Sequence, residues 1–272
     1  MASTQEFCEN GFVVKDIFGC TELIQECLDK LTLIASRGLE RKFSNLSNLG
    51  DLLVSCFSED KESYVGLLKA FANSPTVQNF ASLPGVIALA RELGVNEPSL
   101  VTPPILHVVK DELILNREKV FTPAHQDVVS TRGSIGQLVF WIPLHSIENS
   151  NYGIEAWPGS HILGELPSTT SGFGHTVSKA FIPDGNPAYL EMNVGQVVAF
   201  SQYLVHQTHT EGKFRLAVSF RFNDALDTEW AKRKYFCAFD RTTNVNEYND
   251  ARERAPKQSK DYFRNLATRQ KN

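Results

Sequence analysis

Arg215-Leu216-Ala217-Val218-Ser219-Phe220-Arg221-Phe222 alternates strictly, and that alternation decides the fold class of this chain. Side chains on a strand point to opposite faces in turn. Leu216, Val218, Phe220 and Phe222 therefore make one apolar face, fit for a core. The opposite face carries Arg215, Ala217, Ser219 and Arg221, cations set among small residues, which leaves room inside a barrel. Upstream, the same β-rich texture begins near Ile105 and recurs at 135–144, 153–157 and 194–201, with 214–223 as its last run.

The first hundred residues read differently. Cys20, Leu23, Ile24, Cys27, Leu28 and Leu31 recur at helical spacing behind Thr21 as an N-cap. Tyr64, Val65, Leu67, Leu68 and Phe71 predict a second helix. A third covers Val77 and Phe80, is interrupted near Pro84, resumes through Ile87 and Leu93, and stops at Gly94. Helices followed by strands exclude repeated βαβ units and leave an α+β fold with a mainly β core, or a β-barrel with a helical brace. One domain spans 1–272: residues 1–104 form the brace, 105–225 the β core, and 226–272 a C-terminal extension. The polar stretch 161–193 reads either as an active-site lid or as a disordered insertion. The last twenty-two residues hold seven Lys or Arg against two acids, the pattern of a basic solvated helix.

Bulk composition excludes several function classes. A net charge of −4 offers no positive field for nucleic acid. The five cysteines are odd in number and scattered, so they build neither a disulfide framework nor a zinc site. No apolar run reaches membrane-spanning length and the N-terminus lacks a signal-peptide pattern. The expected location is cytoplasmic, with a small-molecule partner and neither nucleic acid nor membrane. Oligomeric state is not legible.

The chemistry-bearing motif is His125-Gln126-Asp127, with His206 downstream. On a strand, His125 and Asp127, two residues apart, point to the same side, and with His206 from a distant strand they form a facial set of two histidines and one carboxylate that leaves metal positions open. With seven His and twelve Asp in 272 residues, about 0.3 His-x-Asp pairs arise by chance, so the pair alone reads equally as a loop histidine bonded to a nearby acid. A competitor, His209-Thr210-Glu211, fails because no histidine follows it. Arg215, nine residues after His206, offers two parallel N–H donors to a carboxylate ligand; taken alone it fits a structural salt bridge as well.

These residues resemble the phytanoyl-CoA dioxygenase family of Fe(II)/2-oxoglutarate oxygenases. The resemblance runs through Glu9-Asn10-Gly11-Phe12-Val13-Val14, Ala124-His125-Gln126-Asp127, the strand with Trp141, Gly153, Trp157-Pro158-Gly159-Ser160-His161, Val194 to Phe200 leading to His206, and Phe214 to Ser219. It implies a double-stranded β-helix, the jelly roll of the cupins, braced by N-terminal helices. It implies that His125, Asp127 and His206 ligate Fe(II), with 2-oxoglutarate and O₂ as co-substrates. Arg215 would hold the distal carboxylate with Thr208 as hydroxyl donor, Trp141 beside it and Lys110 within reach. Arg221 is the fallback anchor, because the interval from His206 to Arg215 is slightly short. His175 and Phe173 in the 161–193 stretch, with Tyr203, are candidates for substrate contact. The implied reaction releases succinate and CO₂ and oxidises an unactivated C–H of a small or conjugated metabolite, typically to an alcohol. Asp127, where a halogenase has Ala or Gly, argues against halogenation. The alternatives are a cupin-like metal isomerase or hydrolase that uses the same ligands, and a non-catalytic metal-binding module.

Overall fold

The structure, a computed structural model, describes residues 2–38, 48–101, 103–114, 121–148, 151–171, 174–236 and 256–269. The N-terminal part comprises α1 (Ala2–Asn10), β1 (Phe12–Asp16), α2 (Cys20–Gly38), α3 (Leu49–Glu59), α4 (Lys61–Ala72), α5 (Pro75–Gln78) and α6 (Pro84–Glu92). The apolar stripe of α2 is buried, with Cys20, Cys27 and Leu31 fully enclosed. The helix already includes Cys20, so Thr21 lies in its first turn and is not the cap. Helix α3, which the periodicity reading passed over, is capped by Asn48 and buries Leu52, Leu53, Cys56 and Phe57. Pro84 divides the third helical region as expected: lacking an N–H, it suits the first turn of α6, where that donor has no partner.

The strands are β2 (Pro98–Leu100), β3 (Ile105–Val109), β4 (Leu138–Pro143), β5 (Ile154–Ala156), β6 (Ser168–Thr170), β7 (His175–Val177), β8 (Ala188–Tyr189), β9 (Gln196–Ser201), β10 (His206–Thr208) and β11 (Arg215–Asp224). One sheet runs β1-β9-β4-β11-β2, with β3 also paired to β11, and a second runs β10-β5-β8. Every pairing is antiparallel. Strand β11 is the spine of the larger sheet. Its Leu216, Val218, Phe220 and Phe222 pack into the main core with the helices, and Phe220 stacks on Phe140 at 5.4 Å. Its other face sends Ala217 into a smaller cluster with Val139, Trp141, Ile154 and Phe200, drawn from both sheets. The alternation from Arg215 to Phe222 thus separates a helix-covered core from a space reached by both sheets.

Two expectations change. The 161–193 stretch is not structureless: its described residues include the β6–β7 hairpin and β8, which extends the second sheet beside β5. The C-terminal basic segment contains α7 (Lys260–Arg269), and it is not solvated all round. Phe263 and Leu266 are buried, with Phe263 against Phe7 at 5.7 Å and His161 at 4.4 Å. Lys260, Asp261 and Arg264 are exposed on the remaining face, so periodicity rather than charge count decides its packing. Gly11 also has a structural reason. Its φ is +84°, and a Cβ there would sit 2.5 Å from the His161 ring. Among the described residues no helix is long and apolar enough to cross a membrane, and Cys8, Cys20, Cys27 and Cys56 are free thiols.

Candidate metal centre

The two histidines meet through the backbone. His125 and His206 form an antiparallel bridge, each donating its N–H to the other's carbonyl at 3.0 and 3.1 Å. Their rings lie side by side, centroids 4.1 Å apart. Asp127 joins them by a different route from the one the sequence predicts. It is not on a strand; its backbone is helical (φ −68°, ψ −27°), at the start of the short turn 128–131. The chain turns immediately after His125, and this turn, not β alternation, carries the carboxylate back. One ligand atom from each of His125, Asp127 and His206 lies within 4.8 Å of the others, and all three residues are buried.

The tautomers are set by neighbouring carbonyls. His125 Nδ1 lies 2.8 Å from Pro123 O, and His206 Nδ1 lies 3.1 Å from Leu204 O. A carbonyl only accepts, so each Nδ1 carries the proton and each Nε2 keeps its lone pair for a metal. Burial pushes His125 down to about 3 and lowers His206 as well, so both rings are neutral at physiological pH. Burial on its own would raise Asp127, but Arg221 and the two histidines outweigh it and hold the carboxyl at about 2. Arg221 Nη2 donates to both Asp127 oxygens, at 3.1 and 3.2 Å. A neutral pair plus one anion, with a cation steadying the anion, fits a divalent ion with open positions.

Gln126, between the ligands, is 2 % exposed and fully engaged. Its amide donates to Gly164 O (2.8 Å) and Tyr203 O (2.6 Å), and its oxygen accepts from Leu166 N (2.8 Å). These bonds fix the backbone from which both ligands hang. Gln126→Met keeps the length but strands three backbone partners, two of them buried, at a cost of about 3 kcal/mol. The expected result is a lower denaturation midpoint together with about tenfold weaker divalent-metal affinity, the scale of losses outside the ligand shell. Unchanged metal affinity in a destabilised variant would limit Gln126 to a folding role.

A cavity of about 500 Å³ opens from this centre, lined from both sheets. Arg215, Thr208 and Trp141 all reach it. Arg215 is 4 % exposed, and no carboxylate among the described residues pairs with it. Its Nη1 has only long contacts, to Tyr152 O and Thr208 Oγ1 at 3.4 Å and Gly153 O at 3.5 Å, and its Nε has no partner. Burial lowers it to about 10, which leaves it a cation at neutral pH. A buried guanidinium without an anion is costly, and a ligand carboxylate would complete it. Thr208 stands ready beside it, its hydroxyl 2.8 Å from that of Thr122.

The remaining candidates divide. Arg221 lines the same cavity with its Nη2 given to Asp127 and its Nη1 buried without a partner, so it differs from Arg215 in already holding one anion. Lys110 lies outside the cavity, bound to Asp51 (3.4 Å) and Glu112 (3.1 Å). Strand parity explains it. In β3 the register sets His107 opposite Ala217, on the cavity side, and a residue three positions on faces the other way. His107, which is not among the candidates read from the sequence, also lines the cavity. Its Nε2 lies 2.8 Å from Ser219 Oγ, and burial with Arg215 and Arg221 nearby pushes it down to about 3. The same parity count would have found it. Tyr203 is a core residue, with its hydroxyl donating to Pro256 O at 2.7 Å, too enclosed to touch a ligand in the cavity. His175 sits on the β6–β7 hairpin and does not line the cavity, and Phe173 lies outside the described residues. The rejected His209 is occupied by Glu155 (2.9 Å), which also accepts from Gln207 at 2.6 Å. That polar cluster accounts for an acid in a β run.

Among the histidines that burial depresses, His107 and His125 fall to about 3 and His161 to about 4, against 6.5 for free imidazole. The unfolded chain binds protons at these rings as pH falls through 6.5, and the folded protein does not. Stability is therefore expected to fall on acidification between 6.5 and about 4, by about 4 kcal/mol per pH unit at its steepest. Urea midpoints of the metal-free protein measured across that window check this. A flat profile would contradict the buried neutral rings.

No family model matches the chain, and no curated protein matches it. Solved structures do. The non-heme α-ketoglutarate-dependent epimerase SnoN from nogalamycin biosynthesis, in complex with Fe3+, α-ketoglutarate and nogalamycin RO, aligns over 82% of this chain and 83% of its own at 20% identity, with a TM-score of 0.55. The fold is one shared with non-heme α-ketoglutarate-dependent enzymes. The apo non-heme monooxygenase ThoJ aligns over 98% of this chain and 99% of its own at 13% identity, TM-score 0.58. EvdO2 from Micromonospora carbonacea var. aurantiaca, complexed with 2-oxoglutarate, covers 82% and 90% at 15% identity, TM-score 0.53. At these identities the likeness is one of fold. The phytanoyl-CoA dioxygenase family itself is not singled out.

Proposed function

We propose that this protein is an Fe(II)- and 2-oxoglutarate-dependent oxygenase that hydroxylates a C–H bond of a small metabolite, with succinate and CO₂ as coproducts, on a double-stranded β-helix formed by its two antiparallel sheets. The observation that carries the proposal is Arg215, a buried cation with no anionic partner among the described residues, on the wall of the cavity that holds His125, Asp127 and His206. Iron with bound 2-oxoglutarate supplies the O₂ activation and C–H oxidation chemistry.

The chain's own residues bind and orient. His125 and His206 present Nε2, Asp127 presents a carboxylate oxygen, and Arg221 prevents that carboxylate from turning away. Arg215 takes the distal carboxylate of 2-oxoglutarate through its planar fork, with Thr208 donating a hydroxyl bond. Trp141, Val139 and Phe200 line the cavity with apolar surface that keeps water from the open metal positions. A cupin-like isomerase or hydrolase would need the ligands but would leave Arg215 without an anion.

Aerobic incubation with Fe(II), ascorbate and 2-oxoglutarate, followed by mass-spectrometric detection of succinate, tests the reading. Iron-dependent succinate exceeding the protein concentration is expected even without primary substrate. No succinate above an iron-free blank, together with no calorimetric 2-oxoglutarate binding, would reject it.

A further inference from the structure

Arg221 has more hydrogen-bonding capacity than Asp127 uses. Its Nη2 donates to both carboxylate oxygens at 3.1 and 3.2 Å, whereas its Nη1 is enclosed without a partner. The side chain keeps 13% of its surface open and lines the cavity with the metal ligands. A buried N–H without an acceptor is costly, and a guanidinium with donors to spare suits a second oxyanion. Hydroxyl groups share that wall: Ser219, two residues away on the same face of β11, and the exposed Ser130.

The charge balance, which rests on the function proposed above, agrees. Iron brings two positive charges, while Asp127 and 2-oxoglutarate together bring three negative ones. The histidines coordinate through a lone pair and bring none. With Arg215 and Arg221 counted, the loaded centre keeps one positive charge in excess. Asp127 is the only acid among the described residues that line the cavity, and carboxylate charge drawn to iron is lost to Arg221. Much of the remaining lining is apolar, with Val139, Trp141, Ile154 and Phe200 contributed by both sheets. An uncompensated cation beside such a wall favours a ligand that joins an anion to an apolar body.

We propose that the primary substrate is a mainly apolar molecule with one acidic group, a carboxylate or comparable oxyanion, which Arg221 receives, and that neutral analogues and amines are selected against. A cavity of about 500 Å³ lies in the range of small-molecule sites, and the co-substrate takes part of it, so the acid is a small one.

The test uses three probes of one shape, 2-naphthylacetate, 2-naphthylacetamide and 2-(2-naphthyl)ethylammonium. Each is titrated anaerobically into protein loaded with Fe(II) and 2-oxoglutarate, following the metal-to-ligand charge-transfer band. The acid is expected to shift the band and to bind at least about tenfold more tightly than either other probe. An amide or amine that binds as tightly as the acid overturns the proposal. So does an acid that leaves the band unmoved up to its solubility limit, or one that bleaches it by displacing 2-oxoglutarate. Arg221→Met removes the receiving cation, and the acid-to-amide preference is expected to shrink at least about fivefold. Both probes meet the same loaded protein, so this ratio does not depend on how readily the variant takes up iron. An unchanged ratio overturns the proposal, and the parent series decides alone where the variant does not fold or load. The spectrum before any probe separates the two claims. No band at all removes the oxygenase reading and this proposal with it, whereas a normal band without acid preference removes this proposal alone.

Discussion

Arg215→Met is expected to raise the Kd for 2-oxoglutarate by about 100-fold while leaving Fe(II) affinity within about threefold of the parent. Arg215 lacks a charged partner among the described residues. Its guanidinium is buried, its contacts to Tyr152, Gly153 and Thr208 are 3.4–3.5 Å long, and its Nε is unpartnered. Removing one side of a buried, hydrogen-bonded charge pair costs about 2–5 kcal/mol, and 100-fold corresponds to about 2.7 kcal/mol. Calorimetry with the Fe(II)-loaded protein measures it directly. The same variant separates the ligand-binding role from a structural one. A salt-bridge arginine would take stability with it when replaced, whereas an unpaired buried cation replaced by an apolar side chain of similar length relieves a desolvation cost. The protein free of 2-oxoglutarate is therefore expected to melt no lower, and up to a few degrees higher, as Arg215→Met. A lowered melting temperature with unchanged 2-oxoglutarate affinity would assign Arg215 to the fold.

Asp127→Ala is expected to weaken Fe(II) binding by more than about 100-fold, beyond the losses that follow changes outside the ligand shell. It removes the only anion of the His125, Asp127, His206 set, and it leaves Arg221 facing two neutral imidazoles. Breaking a buried pair from one side costs about 3–5 kcal/mol, so the single variant is also expected to lose stability. Asp127→Ala combined with Arg221→Leu removes both charges and is expected to recover most of that stability without recovering iron. Thermal melts and iron titrations of the two variants side by side distinguish a lost ligand from a lost fold. Near-parental iron affinity in the destabilised single variant would show that Asp127 is not a ligand.

Much of this was legible in the sequence because β alternation is a local rule. The residues from Arg215 to Phe222 divide between the helix-packed core and the cavity as their spacing says. The same count puts His107 on the cavity wall and Lys110 off it: three positions apart on and just beyond β3, they cannot share a face. Asp127 was grouped with His125 by a period-two argument that does not apply, since the chain is already turning there; the grouping survives because the turn closes the same distance. Tyr203 lost its candidate role to the carbonyl of Pro256, a partner more than fifty residues away that no local pattern announces. The same holds for the commitments of Arg221 to Asp127 and of Glu155 to His209, which depend on strands brought together from distant parts of the chain. Local periodicity was visible; long-range pairing was not.

The central claim is that one cavity holds iron on His125, Asp127 and His206 and 2-oxoglutarate on Arg215. Anaerobic titration of Fe(II)-loaded protein with 2-oxoglutarate, monitored in the visible, tests both halves at once. A metal-to-ligand charge-transfer band that saturates at one equivalent in the parent, needs about 100-fold more 2-oxoglutarate in Arg215→Met, and is absent in Asp127→Ala is the expected result. A parent protein that binds Fe(II) but develops no band at any 2-oxoglutarate concentration would contradict it.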